Sequence, residues 1–329
     1  MPSPLSQEGE KVPAGFGQSG GVQNLLPPGL PLFDEMRRDD SQRSWLAALP
    51  DLIGTLRERW SLRFGAPFHG GTCSWVAPAW LPDGTPAVLK ITWPHREASG
   101  EAEALRTWDG AGAVRLLRHD PENYALLIER CDPGTELGKH SAPDEDRLIT
   151  GAEVLRGLWR PQLPDVRMER LADVAAEWAD TLEERMDRHR PDLDPGLVSL
   201  GGRLLRELPR TAEREVVVHG DFNPGNVLAA DRGGWLAIDP KPMVGDPAYD
   251  PWPLIEQIDD PFEHDDPAPV LRERFALVAD VLGADPHRLQ AWAAARDIEN
   301  ALWCVEHDEP DGAVEAMESG RLLAGLAGL

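Results

Sequence analysis

Apolar residues follow helical spacing in some stretches of the chain and strand spacing in others. Those three and four positions apart predict helices, and short β-branched runs bounded by Gly, Pro and Asp predict strands. The first half is predicted to hold a helix, a strand hairpin, a second helix and two further strands, at residues 44–59, 72–77, 87–92, 94–108, 113–117 and 124–129. This order indicates a sheet that carries one helix between its strands.

Helical spacing dominates after about residue 143. The predicted helices are at 145–159, 168–190, 195–207, 251–257, 270–282, 287–306 and 313–326. Short strands at 216–218 and 235–238 interrupt them. A sheet-rich region followed by a mainly helical one is α+β in class. We expect the two regions to divide into residues 41–131 and residues 132–329.

Residues 1–40 differ from the rest because they are rich in Pro and Gly and lack a lasting apolar period. Such a composition predicts a mostly disordered tail. The alternative is an arm packed on the body of the protein through its few apolar residues, which are Leu25, Leu26, Leu30, Leu32 and Phe33.

Charge and cysteine content exclude several classes of protein. The chain has 33 Lys and Arg against 57 Asp and Glu, a net charge of −24, whereas nucleic acids and anionic membranes select basic surfaces. No apolar run is long enough to span a membrane, and no secretory signal is visible. Cys73, Cys131 and Cys304 lie far apart, so neither a disulfide framework nor a zinc site follows. We expect a cytoplasmic protein, monomeric or dimeric, that binds neither nucleic acid nor membrane.

The strongest chemical signal is the sequence VVVHGDFNPGNVL at 216–228, followed by WLAID, which ends at Asp239. An attacking hydroxyl needs a carboxylate to orient it and accept its proton, and Asp221 is our candidate for this catalytic base. Mg²⁺ prefers one or two carboxylates together with phosphates and water, which suits Asn226 and Asp239. The alternative for Asp221 and Asn226 is a role in a turn. This spacing predicts phosphoryl transfer.

The pattern resembles the H-x-D-x-x-x-x-N loop and metal-binding Asp of protein kinases. Gly220 replaces the usual Arg, and Ile-Asp-Pro at 238–240 replaces Asp-Phe-Gly, a form similar to the aminoglycoside phosphotransferases. The resemblance implies a bilobal protein-kinase-like fold, with an N-terminal antiparallel sheet lobe containing one helix and a larger, mainly helical C-terminal lobe. Further stretches resemble the streptomycin 6-kinase and hydroxyurea phosphotransferase branch, at 88–90, 93–97, 112–117, 238–242 and 298–303.

The resemblance also implies a nucleotide site in the first lobe. Lys90 lies in a predicted strand and would align the phosphates of ATP, held by a helix glutamate. The alternative is a lysine of an edge strand that points into solvent. We expect that glutamate to be Glu101, with Glu97 and Glu103 as alternatives. Residues 70–74 form either a weak phosphate loop or only a turn. The adenine would bind at the hinge, formed by Glu129, Arg130 and Cys131.

Other polar residues near the predicted catalytic loop favour structural roles. His219 is expected to be a hydrogen-bonding residue rather than a second base. Asp246 and Asp250, in a G-D-P-x-x-D element, are expected to cap a helix or tie back to the loop. Lys241 could contact phosphate or pair with an acid, and the sequence leaves both open.

The C-terminal region could hold a cationic acceptor. Residues 241–329 contain 6 basic and 19 acidic residues, and aminoglycosides carry ammonium or guanidinium groups that carboxylates bind. A solvated helix face is the alternative for each acidic residue. By analogy with the family, the candidates on the predicted helix at 287–306 are Asp297, Glu299, Asn300 and Glu306.

These features together predict an ATP- and Mg²⁺-dependent kinase of small molecules. We expect it to transfer the γ-phosphoryl group of ATP to a hydroxyl of a streptomycin-type aminoglycoside, at the 6-position. One alternative keeps the chemistry and changes the acceptor to hydroxyurea or to a metabolite alcohol or sugar. The other is a catalytically silent protein of the same fold that binds a nucleotide or a cation.

Overall fold

The computed structural model describes residues 25–27, 29–30, 36, 40–70 and 73–329. The chain forms two compact units. The first comprises Met1–His140 with Gly225–Asp239, and the second comprises Ser141–Pro224 with Pro240–Leu329. Within the described ranges, no helix is both long enough and apolar enough to cross a membrane.

The first unit is built on an antiparallel sheet of five strands in the order β1-β2-β3-β5-β4. The strands are β1 Arg63–Phe64, β2 Ser74–Trp80, β3 Pro86–Thr92, β4 Leu116–Asp120 and β5 Ala125–Glu129. Two helices accompany this sheet, α1 at Asp40–Trp60 and α2 at Glu101–Trp108.

Strand β3 positions a lysine by its alternation. Successive side chains of a strand point to opposite faces of the sheet. Leu89 and Ile91 are therefore on one face, where they are fully buried with Trp75 and with Ile53 of helix α1. Lys90 lies between them in sequence and projects from the opposite face.

Part of the N-terminal stretch packs on this core. Four apolar residues before helix α1 are buried in the cluster or pack against it, namely Leu25, Leu26, Leu30 and Met36. The indole Nε1 of Trp75 donates to the Leu25 carbonyl at 2.7 Å. Leu32, Phe33 and most of the range 1–40 lie outside the described residues, so the expectation of a disordered tail stays a prediction.

A second sheet of the first unit has the order β6-β8-β9. Its strands are β6 Pro133–Glu136, β8 Val227–Ala230 and β9 Gly234–Ala237. In the β8–β9 hairpin Val227 pairs with Ala237 and Ala230 pairs with Gly234. The turn needs glycine because the φ angle of Gly233 is 86°. Strand β6 was not predicted, since four residues that include Pro and Gly carry no strand pattern.

The second unit is mainly helical. Its helices are α3 Asp144–Leu158, α4 Leu171–His189, α5 Pro195–Glu207, α6 Trp252–Gln257, α7 Pro267–Leu282, α8 Pro286–Glu306 and α9 Pro310–Ala327. Two short strands, β7 Val216–Val218 and β10 Met243–Gly245, pair antiparallel. Helices α5 and α9 approach α8 at glycines, because a Cβ on Gly201 or Gly320 would lie 2.5 or 2.8 Å from the Ile298 side chain.

Several predicted element boundaries shift for local reasons. The helix predicted at 94–108 begins at Glu101 and follows a 3-10 turn at Arg96–Gly100. The strand predicted at 113–117 is instead at Leu116–Asp120. Helix α7 begins earlier than the apolar spacing indicated, because the Asp266 carboxylate accepts the Ala268 N–H at 3.2 Å and Pro267 suits the first helical position.

Asp246 supplies a stability test for the second unit. Its buried carboxylate accepts the Ala248 N–H at 3.1 Å, Arg288 Nε at 2.8 Å and Trp292 Nε1 at 2.6 Å. Asp246→Ala leaves these donors without their acceptor, so the free energy of unfolding should fall by roughly 3 kcal/mol, measured by urea denaturation.

The matched control is Asp180→Ala, because Asp180 pairs with Arg206 while its side chain is 72 % exposed. That change should cost only about 0–1 kcal/mol. Equal losses for the two variants would contradict the structural role of Asp246.

Candidate active site

Lys90 is held between two carboxylates of the first unit. Its Nζ donates to Glu101 Oε2 at 2.6 Å and also to Asp239 Oδ1. Glu101 opens helix α2, whereas Glu97 lies in the preceding 3-10 turn and Glu103 is two residues further along the helix. The structure therefore brings Glu101 to Lys90, the pairing that was our first choice.

The charge of Lys90 is secured by these partners. Burial by itself lowers the pKa of the ammonium, but the carboxylates of Asp239 and Glu101 outweigh burial, and the pKa of Lys90 is raised above its ordinary value. Lys90 is thus a cation whose side-chain orientation is fixed by its two carboxylate partners, and a lysine that aligns phosphates requires both properties.

Asn226 and Asp239 come together through the β8–β9 hairpin. Asn226 precedes β8, and the Ile238 N–H donates to the Asn226 carbonyl at 2.9 Å. Asp239 then takes a left-handed φ of 55°, which turns the chain away from the strand direction, and its side chain is 30 % exposed. One carboxylate and one amide oxygen fit Mg²⁺ when phosphates and water supply the remaining ligands.

A metal site made by protein alone is absent from the described ranges. No three His, Cys, Asp or Glu side chains are gathered there in a way that could hold an ion.

Asp221 follows strand β7 in the second unit, within a tightly tied loop. Asp250 accepts the N–H groups of His219 and Gly220, each at 2.8 Å. The buried His219 ring accepts the Asp221 N–H through Nδ1 at 3.3 Å. His219 and Asp250 thus both contact the backbone of the loop, in agreement with the structural roles expected for them.

The Asp221 carboxylate is bonded through both oxygens. Oδ1 accepts from Asn223 Nδ2 at 3.1 Å, and Oδ2 accepts from Lys241 Nζ at 2.8 Å. Burial favours a higher pKa, but Lys241, then His219 and Asn223, outweigh it, so the pKa of Asp221 lies below its ordinary value. At neutral pH the side chain is an anion able to accept a proton.

A cavity of about 290 Å³ opens beside Asp221 within the second unit. Its walls combine aromatic rings with charged and amide groups. They include Trp178, Tyr249, Trp252, Glu256, Arg296, Asp297, Glu299 and Asn300. The cavity therefore places several hydrogen-bonding and ionic groups around a molecule that reaches Asp221.

The three carboxylates predicted to bind the acceptor already have protein partners. Asp297 accepts from Trp252 Nε1 at 2.7 Å and from the Ser319 hydroxyl. Arg185 donates to both Glu299 and Glu306, each at 2.7 Å. Asp297, Glu299 and Asn300 are among the residues that line the cavity, while Glu306 is not.

Sequence reasoning missed Glu256, which also lines the cavity. It lies four residues after Trp252 on helix α6, so the two side chains share one helix face. That spacing was the available signal, because it places an acidic residue on the same face as an aromatic residue within the predicted helix at 251–257. Burial first, and then the nearby Asp297 carboxylate, raise the pKa of Glu256.

The predicted adenine hinge is braced by side chains. The Glu129 N–H donates to the Arg115 carbonyl at 2.9 Å, and its carboxylate accepts from Arg232 Nε and Nη2, each at 2.7 Å. Arg130 lies over the Trp80 ring at 5.8 Å. Burial raises the pKa of the Cys131 thiol to about 12. The backbone N–H of Glu129 is thus already hydrogen-bonded within the first unit, to the Arg115 carbonyl.

The weak phosphate loop predicted at 70–74 is only partly visible. Gly71 and Thr72 lie outside the described residues. Ser74 belongs to strand β2, and its hydroxyl is 2.9 Å from that of Thr92 on β3. Whether 70–74 is a phosphate loop or only a turn therefore stays open.

Solved structures of kinases share this fold. A choline kinase from Streptococcus pneumoniae matches with a TM-score of 0.56 at 14% identity, covering 85% of this chain and 100% of its own. An aminoglycoside phosphotransferase in complex with ADP and hygromycin B matches with a TM-score of 0.53 at 14% identity, covering 83% of this chain and 97% of its own. The predicted α+β, kinase-like fold class is confirmed.

Sequence relatives are closer. The streptomycin 6-kinase of Streptomyces glaucescens is 38% identical over 269 residues, which is 80% of this chain and 85% of the relative. The hydroxyurea phosphotransferase of Kitasatospora aureofaciens is 35% identical over 297 residues, 87% of this chain and 82% of the relative. Residues 59–308 match the family described as aminoglycoside/hydroxyurea antibiotic resistance kinase. As the sequence predicted, the chain belongs to this family of phosphotransferases.

Proposed function

We propose that this protein transfers the γ-phosphoryl group of ATP to the 6-hydroxyl of a streptomycin-type aminoglycoside, with Mg²⁺ as cofactor. The observation that carries the proposal is the ionised Asp221 at the wall of a cavity that Glu256, Asp297 and Glu299 also line. A base beside a carboxylate-rich cavity suits an acceptor that has both a hydroxyl and cationic groups.

The base has a defined part in this reaction. Asp221 orients the acceptor hydroxyl and takes its proton as the oxygen attacks the γ-phosphorus. Its low pKa means that it starts as a carboxylate at neutral pH. The two hydrogen bonds from Asn223 and Lys241 hold the carboxylate in one orientation.

The nucleotide side rests on residues of the first unit. Lys90, fixed by Glu101, would bind phosphate oxygens of ATP. Asn226 and Asp239 would hold Mg²⁺, which neutralises phosphate charge when bound. The hinge at residues 129–131 would receive the adenine.

The acceptor side favours a cation for a specific reason. Arg185 occupies Glu299 and Glu306, and Trp252 and Ser319 bond Asp297. Glu256 lines the cavity with Asp297, and burial together with the Asp297 carboxylate raises the pKa of Glu256 to about 8, so that Glu256 holds a proton at neutral pH. An ammonium or guanidinium group bound there would stabilise the ionised form of Glu256 and take the place of that proton.

A neutral acceptor is the second candidate, and one observation favours it. The relative from Kitasatospora aureofaciens is a hydroxyurea phosphotransferase, and it covers slightly more of this chain than the streptomycin 6-kinase does. Hydroxyurea and metabolite alcohols or sugars would use the same base and nucleotide residues. A catalytically silent binding protein is disfavoured by the joint presence of Asp221, Lys90, Glu101, Asn226 and Asp239.

We further propose a cytoplasmic protein that acts on a small molecule as a monomer or dimer and binds neither nucleic acid nor membrane. The formal charge of −24 supports the last two points, since both surfaces are themselves anionic. Access to ATP supports the cytoplasm.

The proposed function is tested by ADP release in the presence of Mg²⁺, with streptomycin and hydroxyurea as alternative acceptors. Streptomycin should give rapid turnover with one phosphate on the 6-hydroxyl, identified by NMR. Asp221→Asn should lower kcat by roughly 10²–10⁴-fold while ATP binding stays close to normal, because only the proton acceptor is lost. Turnover with hydroxyurea alone would assign the protein to the second candidate, and near-normal kcat in Asp221→Asn would contradict the base assignment.

The charge of the acceptor is tested by ionic strength. If carboxylates of the cavity attract a cation, KM for streptomycin should rise between low salt and about 0.5 M KCl, because salt screens the attraction. KM for ATP, measured in the same series at saturating Mg²⁺, serves as the reference. A KM for the acceptor that does not change with salt would argue for recognition by neutral groups.

A further inference from the structure

Lys241 has a contact that the sequence left undecided. It lies two residues after Asp239, yet its Nζ is 2.8 Å from Oδ2 of Asp221 in the second unit. The Asp221 side chain is 27 % exposed and that of Lys241 is 41 % exposed. The ammonium thus bonds the candidate base while the Lys241 side chain remains partly exposed.

The backbone around this contact is fixed on both sides. The Lys241 N–H donates to the His219 carbonyl at 2.8 Å. A Cβ at Gly220 would lie 1.9 Å from the Lys241 carbonyl oxygen, and Gly220 has a φ of 84°, so no other residue fits there. The two segments also pair as strands, since Met243 of β10 lies opposite Val218 of β7. The backbone contacts between these two segments therefore keep Lys241 close to Asp221.

Other charged and polar groups also surround Asp221. Asn223 bonds its Oδ1, and the His219 ring lies beside it and accepts its N–H. Across the cavity are Glu256, Glu299 and Arg296, and Arg296 donates to the Tyr249 carbonyl at 3.1 Å and lies over the Tyr249 ring. Lys241 is thus a cation hydrogen-bonded to the carboxylate of the base, whereas Arg296 is engaged by Tyr249.

We infer that Lys241 is a positioning residue for phosphoryl transfer, which fixes the orientation and negative charge of the Asp221 carboxylate through the bond to Oδ2. The inference rests on the proposed function, because it concerns the same base. Removal of the ammonium would take away the cation that is hydrogen-bonded to Oδ2, and partial burial of the Asp221 carboxylate favours its protonated form.

The reaction step is balanced without consuming the lysine. The acceptor oxygen forms a bond to the γ-phosphorus, and its proton moves to Asp221. The bond from the γ-phosphorus to the bridging oxygen breaks, and its electron pair stays on ADP. Lys241 keeps its proton throughout and takes no part in the bond changes.

A double-mutant cycle on the full chain tests the inference. The four proteins are wild type, Lys241→Met, Asp221→Asn and the double variant, compared by kcat and by KM for both substrates. Lys241→Met should lower kcat by about 10–100-fold, with both KM values within about threefold, because it perturbs the base rather than substrate binding. In the Asp221→Asn background the same substitution should change kcat by less than about threefold, since the group through which Lys241 acts is already lost.

Two further variants separate positioning from folding. Lys241→Arg restores a cation and should recover most of the kcat lost in Lys241→Met. Arg203→Met removes one positive charge from an exposed position on helix α5 of the same unit and should keep wild-type kcat. Thermal unfolding of each variant shows whether a loss of activity comes from loss of the fold.

The outcomes are distinct. A wild-type kcat in Lys241→Met overturns the inference. So does an equal loss in both backgrounds, which would mean that Lys241 acts on phosphate directly or only on the fold, and so does failure of Lys241→Arg to recover activity. A wild-type kcat in Asp221→Asn would instead contradict the proposed function, because the base itself would then be wrongly assigned.

Discussion

The loop that carries the candidate base, Asp221, depends on one buried carboxylate, that of Asp250. It accepts two consecutive backbone N–H groups, from His219 and Gly220, each at 2.8 Å. Burial raises the pKa of Asp250 to about 6, although both N–H bonds favour its ionised form. These bonds fix the loop where Gly220 has its left-handed φ of 84°, and the next residue is Asp221. The direction of the candidate base is therefore set by a side chain 29 residues away in sequence.

The features that could be predicted are those that a short stretch of sequence determines. Alternation along β3 places Lys90 on the face opposite Leu89 and Ile91. The Asp-Arg-Gly-Gly turn at 231–234 determines the β8–β9 hairpin, and that hairpin brings Asn226 beside Ile238 and hence next to Asp239. Local periodicity and turn chemistry are sufficient for these statements, because the residues involved are neighbours in a strand or across a single turn.

Pairings between distant elements could not be predicted in the same way. Arg185 on helix α4 forms ion pairs with Glu299 and Glu306 on helix α8. The spacing of apolar residues within a helix does not indicate which other helix it packs against. A carboxylate on a predicted helix face could equally bind a ligand or an internal arginine. The sequence therefore located the acidic helix correctly but could not say that Arg185 already holds two of its acids, nor that Glu256 lies in the cavity.

Lys90 in the first unit and Asp221 in the second unit are each kept charged by ionic partners within their own unit. Burial favours the neutral form of an ionisable group, and in that form a lysine cannot attract a phosphate by its charge and a carboxyl group cannot accept a proton readily. Lys90 stays protonated because Glu101 and Asp239 outweigh burial, and Asp221 stays ionised because Lys241 does so. The buried pair of Lys90 and Glu101 contributes little net stability, since desolvation offsets its attraction, and the partly exposed pair of Asp221 and Lys241 is weakened by solvent. Such fixed charges are better explained by chemistry that needs them, and phosphoryl transfer, which depends on positioning and charge neutralisation, is such a chemistry.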